Sequence, residues 1–305
     1  LKVAITGASG LIGSALTGTL AAAGHRVIKV GRAGKGRAGD SEVRWDPDSG
    51  TVDAVALRGI DAVVHLAGYP ISKRWTPEVK ALIRESRVKG TDLIARTLAA
   101  LDPRPRVLVC ASACGIYGDR GEEVLTEDSA PGKGFLADVA VQWEAAAQPA
   151  RDAGIRVVHA RSGLVLAPDG GVLKAVRAPF QTGLGAKFGS GRQRLPWVAI
   201  EDVVGSIRFA LESEALRGPV NVAAQQSVTN AEFTKALGRA LSRPACLTVP
   251  KWAVKPLLGE GVVETLLYSQ SVVPVKLRQA GYTWQFPELQ AALRHELRHR
   301  SPQYD

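Results

Sequence analysis

The first fourteen residues constrain this chain most. Lys2 to Thr6 is a short strand-forming run that opens directly into Gly7-Ala8-Ser9-Gly10-Leu11-Ile12-Gly13 and then into an alanine-rich stretch ending at Gly24. Strand, glycine loop and helix follow one another without a gap. Glycines three apart at such a junction permit a tight turn, let backbone N–H groups approach a pyrophosphate, and let the helix pack close to the strand, while the helix N-terminus adds partial positive charge. A chain with 32 glycines among 305 residues produces such spacings by chance, so the context carries the weight. Here the motif follows a strand, and a second strand over 26–30 arrives at the distance a βαβ unit requires. The pattern predicts a dinucleotide site built on Gly7, Ser9, Gly10, Leu11, Ile12 and Gly13.

Further along, 61–68 reads as a strong strand ending in small residues, and Pro77 opens a long helix to about residue 100, with apolar residues at helical spacing. Another strand covers 105–111, an alanine-rich helix 135–153, and a strand 155–160. Strands alternating with helices over this length predict an α/β fold with a doubly wound parallel sheet. From Arg161 the texture changes. Residues 163–191 read as glycine-rich loop, followed by a strand at 197–200, a helix at 201–211, a strand at 220–223 and a helix opened by the capping box Thr229-Asn230-Ala231-Glu232. The tail after Pro250 alternates short helices with turns. We therefore expect a dinucleotide-binding domain over 1–165, with 197–228 returning to it, and a smaller, mostly helical C-terminal lobe over 166–196 and 229–305 that handles substrate.

Composition narrows the class. A hydrophobic fraction of 46% over 305 residues supports a sizeable core. No apolar run reaches the roughly 18 residues a membrane span needs, and the N-terminus does not resemble a signal peptide, so a cytoplasmic location without membrane contact is expected. Cys110, Cys114 and Cys246 form no Cys-x-x-Cys pair; no disulfide framework or metal site is expected, and all three read as small buried hydrophobes. The formal net charge of +10 raises the possibility of nucleic acid. The basic residues are scattered, however, and no aromatic-interleaved groove motif accompanies them, so no nucleic-acid partner is expected.

Thr6-Gly7-x-x-Gly10-x-x-Gly13, Asp61 through His65-Leu66-Ala67-Gly68, Tyr117-Gly118 after a strand ending in Ser112, and Val198 through Asp202 before a helix together resemble the extended short-chain dehydrogenase/reductases, the NAD(P)-binding epimerases and dehydratases on a Rossmann fold. Arg74-Trp75, Ser86-Arg87, Trp143-Glu144-Ala145-Ala146, Gly189-Ser190-Gly191-x-Gln193 and Pro274-x-Lys276-Leu277 resemble, more narrowly, the epimerase-like branch with its own C-terminal domain. The resemblance covers nearly the whole chain. It implies that Leu66, Ala67 and Gly68 flank the adenosine-to-pyrophosphate path, that Val165 lines the nicotinamide pocket, and that Arg192, Gln193 and Arg194 hold a phosphate or hydroxyl of a small-molecule substrate.

NAD-preferring sites place an acid after the second strand to accept from the ribose hydroxyl; NADP sites place an Arg whose planar fork pairs the extra phosphate. Here the position reads Gly31-Arg32, with no acid before Asp40 and with Lys35 and Arg37 nearby. NADP is therefore the expected cofactor, and Arg87 in the long helix is a second candidate cation for it. The family's Tyr-x-x-x-Lys is missing: aligned on Glu144, its two positions hold Leu136 and Ala140, and the family's Ser/Thr position holds Ala113. Tyr117 and Ser112 remain as candidate catalytic hydroxyls. Two readings stay open, an NADP-dependent oxidoreductase or epimerase-like enzyme with a rearranged acid, and a non-catalytic NADP(H)-binding sensor.

Overall fold

The computed structural model describes residues 1–32, 43–168 and 170–298, so Lys35, Arg37 and Asp40 lie outside the described residues. The chain divides into two compact units of three segments each: the first from 1–113, 138–161 and 204–220, the second from 114–137, 162–203 and 221 onward.

The first unit is built on an eight-stranded sheet. Its strands are β1 (Lys2–Thr6), β2 (Arg26–Arg32), β3 (Val43–Asp46), β4 (Thr51–Val52), β5 (Ala62–His65), β6 (Val107–Ala113), β7 (Arg156–Ser162) and β8 (Gly218–Val222). They lie in the order β8-β7-β6-β5-β1-β2-β3-β4. β1 pairs in parallel with both β2 and β5, β2 with β3, and β5 with β6, while β4 turns back antiparallel on β3. The chain winds outward from β1 to β3, then returns to the other side of β1 and continues through β5 and β6. That reversal opens a crevice at the carboxyl ends beside β1, where ligands bind in sheets of this kind. The predicted doubly wound α/β fold is the one observed.

Helix α1 (Leu11–Ala22) follows β1, and α2 (Pro77–Ala99) follows β5. Pro77 and the Thr76 side chain, which accepts from the Val79 N–H, start α2 where the sequence places it. Its buried residues Ile83, Ile94 and Leu98 lie on one helical face, and the latter two join Val30, Val43, Trp45, Val63 and Leu108 in one core. Each such aliphatic side chain contributes about 1.5–3 kcal/mol on burial. The helix predicted over 135–153 is two, α3 (Phe135–Ala145) and α4 (Gln148–Asp152). Pro149 is the reason: it has no N–H to continue the ladder and sits instead in the first turn of α4.

The second unit has its own core around Leu166, Leu173, Trp197, Phe233, Leu237 and Leu293. Strand Leu164–Ala167 pairs in parallel with Trp197–Ala199. The capping box at Thr229 and Glu232 forms in full at the start of helix Asn230–Ala240. Where the sequence predicts only loop, helix Gly171–Gln181 is present, with Pro179 in its last turn. Cys110 and Cys114 are buried as expected, but Cys246 is exposed, in the connection between helix Asn230–Ala240 and strand Leu247–Val249. Among the described residues no helix is long and apolar enough to cross a membrane.

Asp202 holds the second unit's C-terminal turn. Its carboxylate, nearly inaccessible to solvent, accepts from the Gln285 and Phe286 N–H groups and the Tyr282 hydroxyl. Burial pushes its carboxyl above the ordinary range, against the pull of those donors. Asp202→Ala strands the Gln285 and Phe286 N–H groups, while the Tyr282 hydroxyl keeps the residue-202 carbonyl, and we expect a loss of about 2–4 kcal/mol in denaturant unfolding.

Candidate functional site

The three glycines of the first loop do different work. Gly7 is left-handed, at φ 68°, and a Cβ there would lie 2.9 Å from the Ala67 nitrogen. Gly13 sits against the same turn, where a Cβ would fall 2.1 Å from the Gly7 oxygen. Both are required by the protein's own packing. Gly10 is exposed, and its absent Cβ would meet only the Gly7 oxygen, at 3.2 Å. Gly10 caps α1 with no side-chain hydrogen bond, and the first turn of α1 carries no acid. The positive end of the helix dipole and its unpaired amides therefore face an open cradle, flanked by exposed Ser9 and Leu11 with Ile12 half-buried. This donor set fits a pyrophosphate.

The facing wall is the segment after β5. Thr6 Oγ1 accepts from the Leu66 and Ala67 N–H groups at 3.1 and 3.3 Å and bonds His65 Nδ1 at 2.8 Å. Burial holds the His65 pKa down at about 4, so the ring is neutral. Gly68 lies against Arg87, whose Cζ would be 3.3 Å from a Cβ at residue 68. Arg87 Nη1 donates to the Tyr69 and Ile83 carbonyls, and the guanidinium stacks on Trp143. Burial brings its pKa to about 10, so it stays charged. Arg87 thus pins this segment to α2 and keeps a positive charge beside Gly68. At the end of β2, past half-buried Gly31, Arg32 is exposed, with Nη1 3.8 Å from Asp48 Oδ2.

A buried charged network at the end of β6 went unread in the sequence. Ser112 Oγ donates to Glu144 Oε1 at 2.7 Å, and Arg161 grips the same carboxylate through two bonds of 2.8 Å. Burial alone would push the Glu144 carboxyl up, but the Arg161 hydrogen bonds and charge, with Ser112, more than offset it and hold it below the ordinary value. The proton of Ser112, one of the two candidate catalytic hydroxyls, is held by Glu144.

In the second unit the Tyr117 ring is fully buried and its hydroxyl donates to Asn221 Oδ1 at 2.7 Å. Asn221 in turn donates to the Val273 carbonyl. In this arrangement the hydroxyl faces protein and has no solvent exposure. Leu136, at the family's Tyr position, packs over Gly115. Arg192 and Arg194 are exposed, and Arg194 Nη1 reaches the Ser227 carbonyl at 3.4 Å. Gln193 Nε2 is committed to the Phe188 and Leu266 carbonyls. Val165 is half-buried and pairs with Val198.

Fold and cradle together define a doubly wound α/β protein with a dinucleotide loop. A sequence profile of the NAD dependent epimerase/dehydratase family matches residues 3–223, and one for a domain of unknown function (DUF1731) matches 249–296. The chain belongs to the NAD dependent epimerase/dehydratase family, the extended short-chain dehydrogenase/reductase epimerases. An epimerase family protein of Mycobacterium tuberculosis is 44% identical over 292 residues, covering 95% of this chain and 96% of that protein. The crystal structure of human epimerase family protein SDR39U1 (isoform2) with NADPH matches with a TM-score of 0.89 at 34% identity, over 98% of this chain and 100% of that one. A nucleoside-diphosphate sugar epimerase from Corynebacterium glutamicum matches with a TM-score of 0.81 at 36% identity, over 97% of this chain and 58% of that one.

Removing one partner of the buried pair leaves a desolvated charge, so Glu144→Gln should cost about 3–5 kcal/mol, and Glu144→Leu with Arg161→Leu should recover much of it. The pH profile follows from the sign of the shift. The folded carboxyl titrates below its ordinary 4.5, so its contribution is full above that pH and is lost as pH falls through the lower folded value. Unfolding curves across that acid range should show this slope in the wild type and a flatter one in Glu144→Gln.

Proposed function

We propose that the chain binds NADP(H) on the first unit and is an NADP-dependent oxidoreductase of the epimerase-like type, acting in the cytoplasm on a small polar substrate. The observation that carries this is the uncapped N-terminus of α1 under Gly10, with Arg32 standing at the end of β2 where NAD-preferring sites carry an acid. The Gly7–Gly13 backbone would hold the pyrophosphate, Leu66, Ala67 and Gly68 its path, and Arg32 the 2′-phosphate. The NADPH in the human SDR39U1 structure supports the same cofactor. When bound, the nicotinamide supplies or accepts a hydride; the polypeptide holds it and excludes water. We assign substrate handling to residues 166–196 and 229–305, with the exposed guanidiniums of Arg192 and Arg194 suited to an anionic group.

One set of observations favours a second reading. Leu136 and Ala140 carry no titratable group, the Ser112 proton is held by Glu144, and the Tyr117 hydroxyl by Asn221. A protein that binds NADP(H) without turning it over, as a redox-state sensor, fits these facts.

Two measurements test the proposal. An Arg–phosphate hydrogen bond is worth about 1.5–3 kcal/mol, so Arg32→Ala should weaken NADPH roughly tenfold or more in a fluorescence titration and leave NADH nearly unchanged. Equal losses for both reject the cofactor assignment. Loss of NADPH absorbance with any member of a panel of carbonyl compounds and nucleotide sugars supports the enzyme; tight binding with no turnover across the panel selects the sensor.

A further inference from the structure

No acid follows β2 directly in sequence, the first being Asp40, yet the fold returns one to that place. β3 runs parallel to β2 in the register Val30 to Val43, Gly31 to Arg44 and Arg32 to Trp45, so the residues after Trp45 emerge beyond the carboxyl end of β2. Asp46 opens a tight turn there: its carboxylate accepts the Asp48 N–H at 2.9 Å, and the chain closes back through β4 with Asp46 opposite Thr51. The turn presents Asp48 to Arg32, with Oδ2 3.8 Å from Nη1 and the two side chains 79% and 39% exposed. Arg32 also acts on Asp46, whose carboxyl is held below the ordinary range chiefly by the Asp48 N–H, then by Ser49, with the Arg32 charge contributing. Lys89 on α2 feels Asp48 too, but is bound to Glu85 at 2.7 Å.

We propose that Asp48 sets how sharply this site separates a 2′-phosphate from a 2′-hydroxyl on the cofactor ribose, by opposing the phosphate. The inference rests on the NADP(H) reading above. A phosphate that takes the Arg32 fork must either displace the Asp48 carboxylate or accept it as a neighbour of like charge, and both weaken binding. A ribose hydroxyl offers the proton a carboxylate accepts, the task that an acid at the end of the second strand performs in NAD-preferring sites. Arg32 and Asp48 therefore act on the choice of cofactor in opposite senses, the cation favouring NADPH and the acid favouring NADH.

The test is a fluorescence titration of Asp48→Asn, Arg32→Ala and wild type with NADPH and with NADH at low and high salt. Asn keeps the shape, and the turn is held through the residue-48 N–H, which the substitution retains. Asp48→Asn should tighten NADPH about threefold to tenfold at low ionic strength, with the gain shrinking as salt screens the charge, and should not tighten NADH. Unchanged NADPH affinity, or equal tightening of both cofactors, overturns the role of Asp48. If Arg32→Ala keeps the wild-type ratio of the two affinities, the NADP(H) reading itself fails. If Arg32→Ala loses the preference while Asp48→Asn changes nothing, only the Asp48 inference falls.

Discussion

Three hydrogen bonds meet on the Thr6 hydroxyl, and the dinucleotide site of the first unit depends on them. Two come from the Leu66 and Ala67 amides. With those filling its acceptor sites, the hydroxyl proton points to His65 Nδ1, which leaves the ring's own proton on Nε2, where no partner meets it. An unpaired buried donor of this sort costs about 1–3 kcal/mol. What it secures is the spacing of two strand ends. Because the segment after β5 is drawn to Thr6, Gly7 packs on the Ala67 nitrogen and must be left-handed and bare. Gly13 then seats α1 on the Gly7 oxygen, which aims the helix axis and its unpaired amides at the cradle. The neutrality of His65, enforced by burial, keeps a charge from entering this joint across the physiological pH range.

The charged groups of the first unit divide by burial, and so by role. Arg87, Glu144 and Arg161 are enclosed and hold one another or backbone carbonyls in fixed directions. Such pairs contribute little net stability over an apolar replacement, but they penalise any rearrangement that parts them. Ser112 is drawn into this set, so the carboxyl end of β6 is held by an ion pair. Arg32 stands outside it, in water, and its fork is open to exchange partners because its contact with Asp48 is long and exposed.

The sequence made the local features legible and left the distant ones hidden. Strand, glycine loop and helix could be read in the first 22 residues because their causes are local: glycine spacing, strand propensity and helix periodicity. The start of α2 was legible from Pro77 for the same reason. The Glu144–Arg161 pair joins residues 17 apart, and Ser112 reaches Glu144 across 32. No pattern in the chain announces such partners: Arg161 stands near the end of a strand that already carries Arg156 and His159, so its burial does not show in the sequence. The helix Gly171–Gln181 was hidden by its neighbouring glycines and by Pro179, which falls in its last turn and so breaks the sequence pattern only near the helix end. Asp48 was invisible for a geometric reason, since its nearness to Arg32 is set by the parallel register of β2 and β3.

Leu136 stands in a setting that disfavours an ionising side chain. In the second unit the Phe135 and Leu136 amides at the start of α3 donate to the two oxygens of Glu264, a residue only 6% exposed. Gly134 lies against the same carboxylate, and Gly115 leaves just enough room for Leu136, since a Cβ there would be 3.2 Å from that of Leu136. A helix N-terminus by itself lowers the pKa of a nearby acid, which would favour a phenol that must ionise. A carboxylate bound to those same amides cancels that field and opposes a second negative charge. Tyr268 shows the sign of the effect, its phenol pushed up by burial and then by the charge of Glu264. A phenol returned to position 136 would meet the same opposition. The whole α3 N-terminus, built jointly by Gly115, Gly134, Leu136 and Glu264, thus opposes an ionising phenol at position 136.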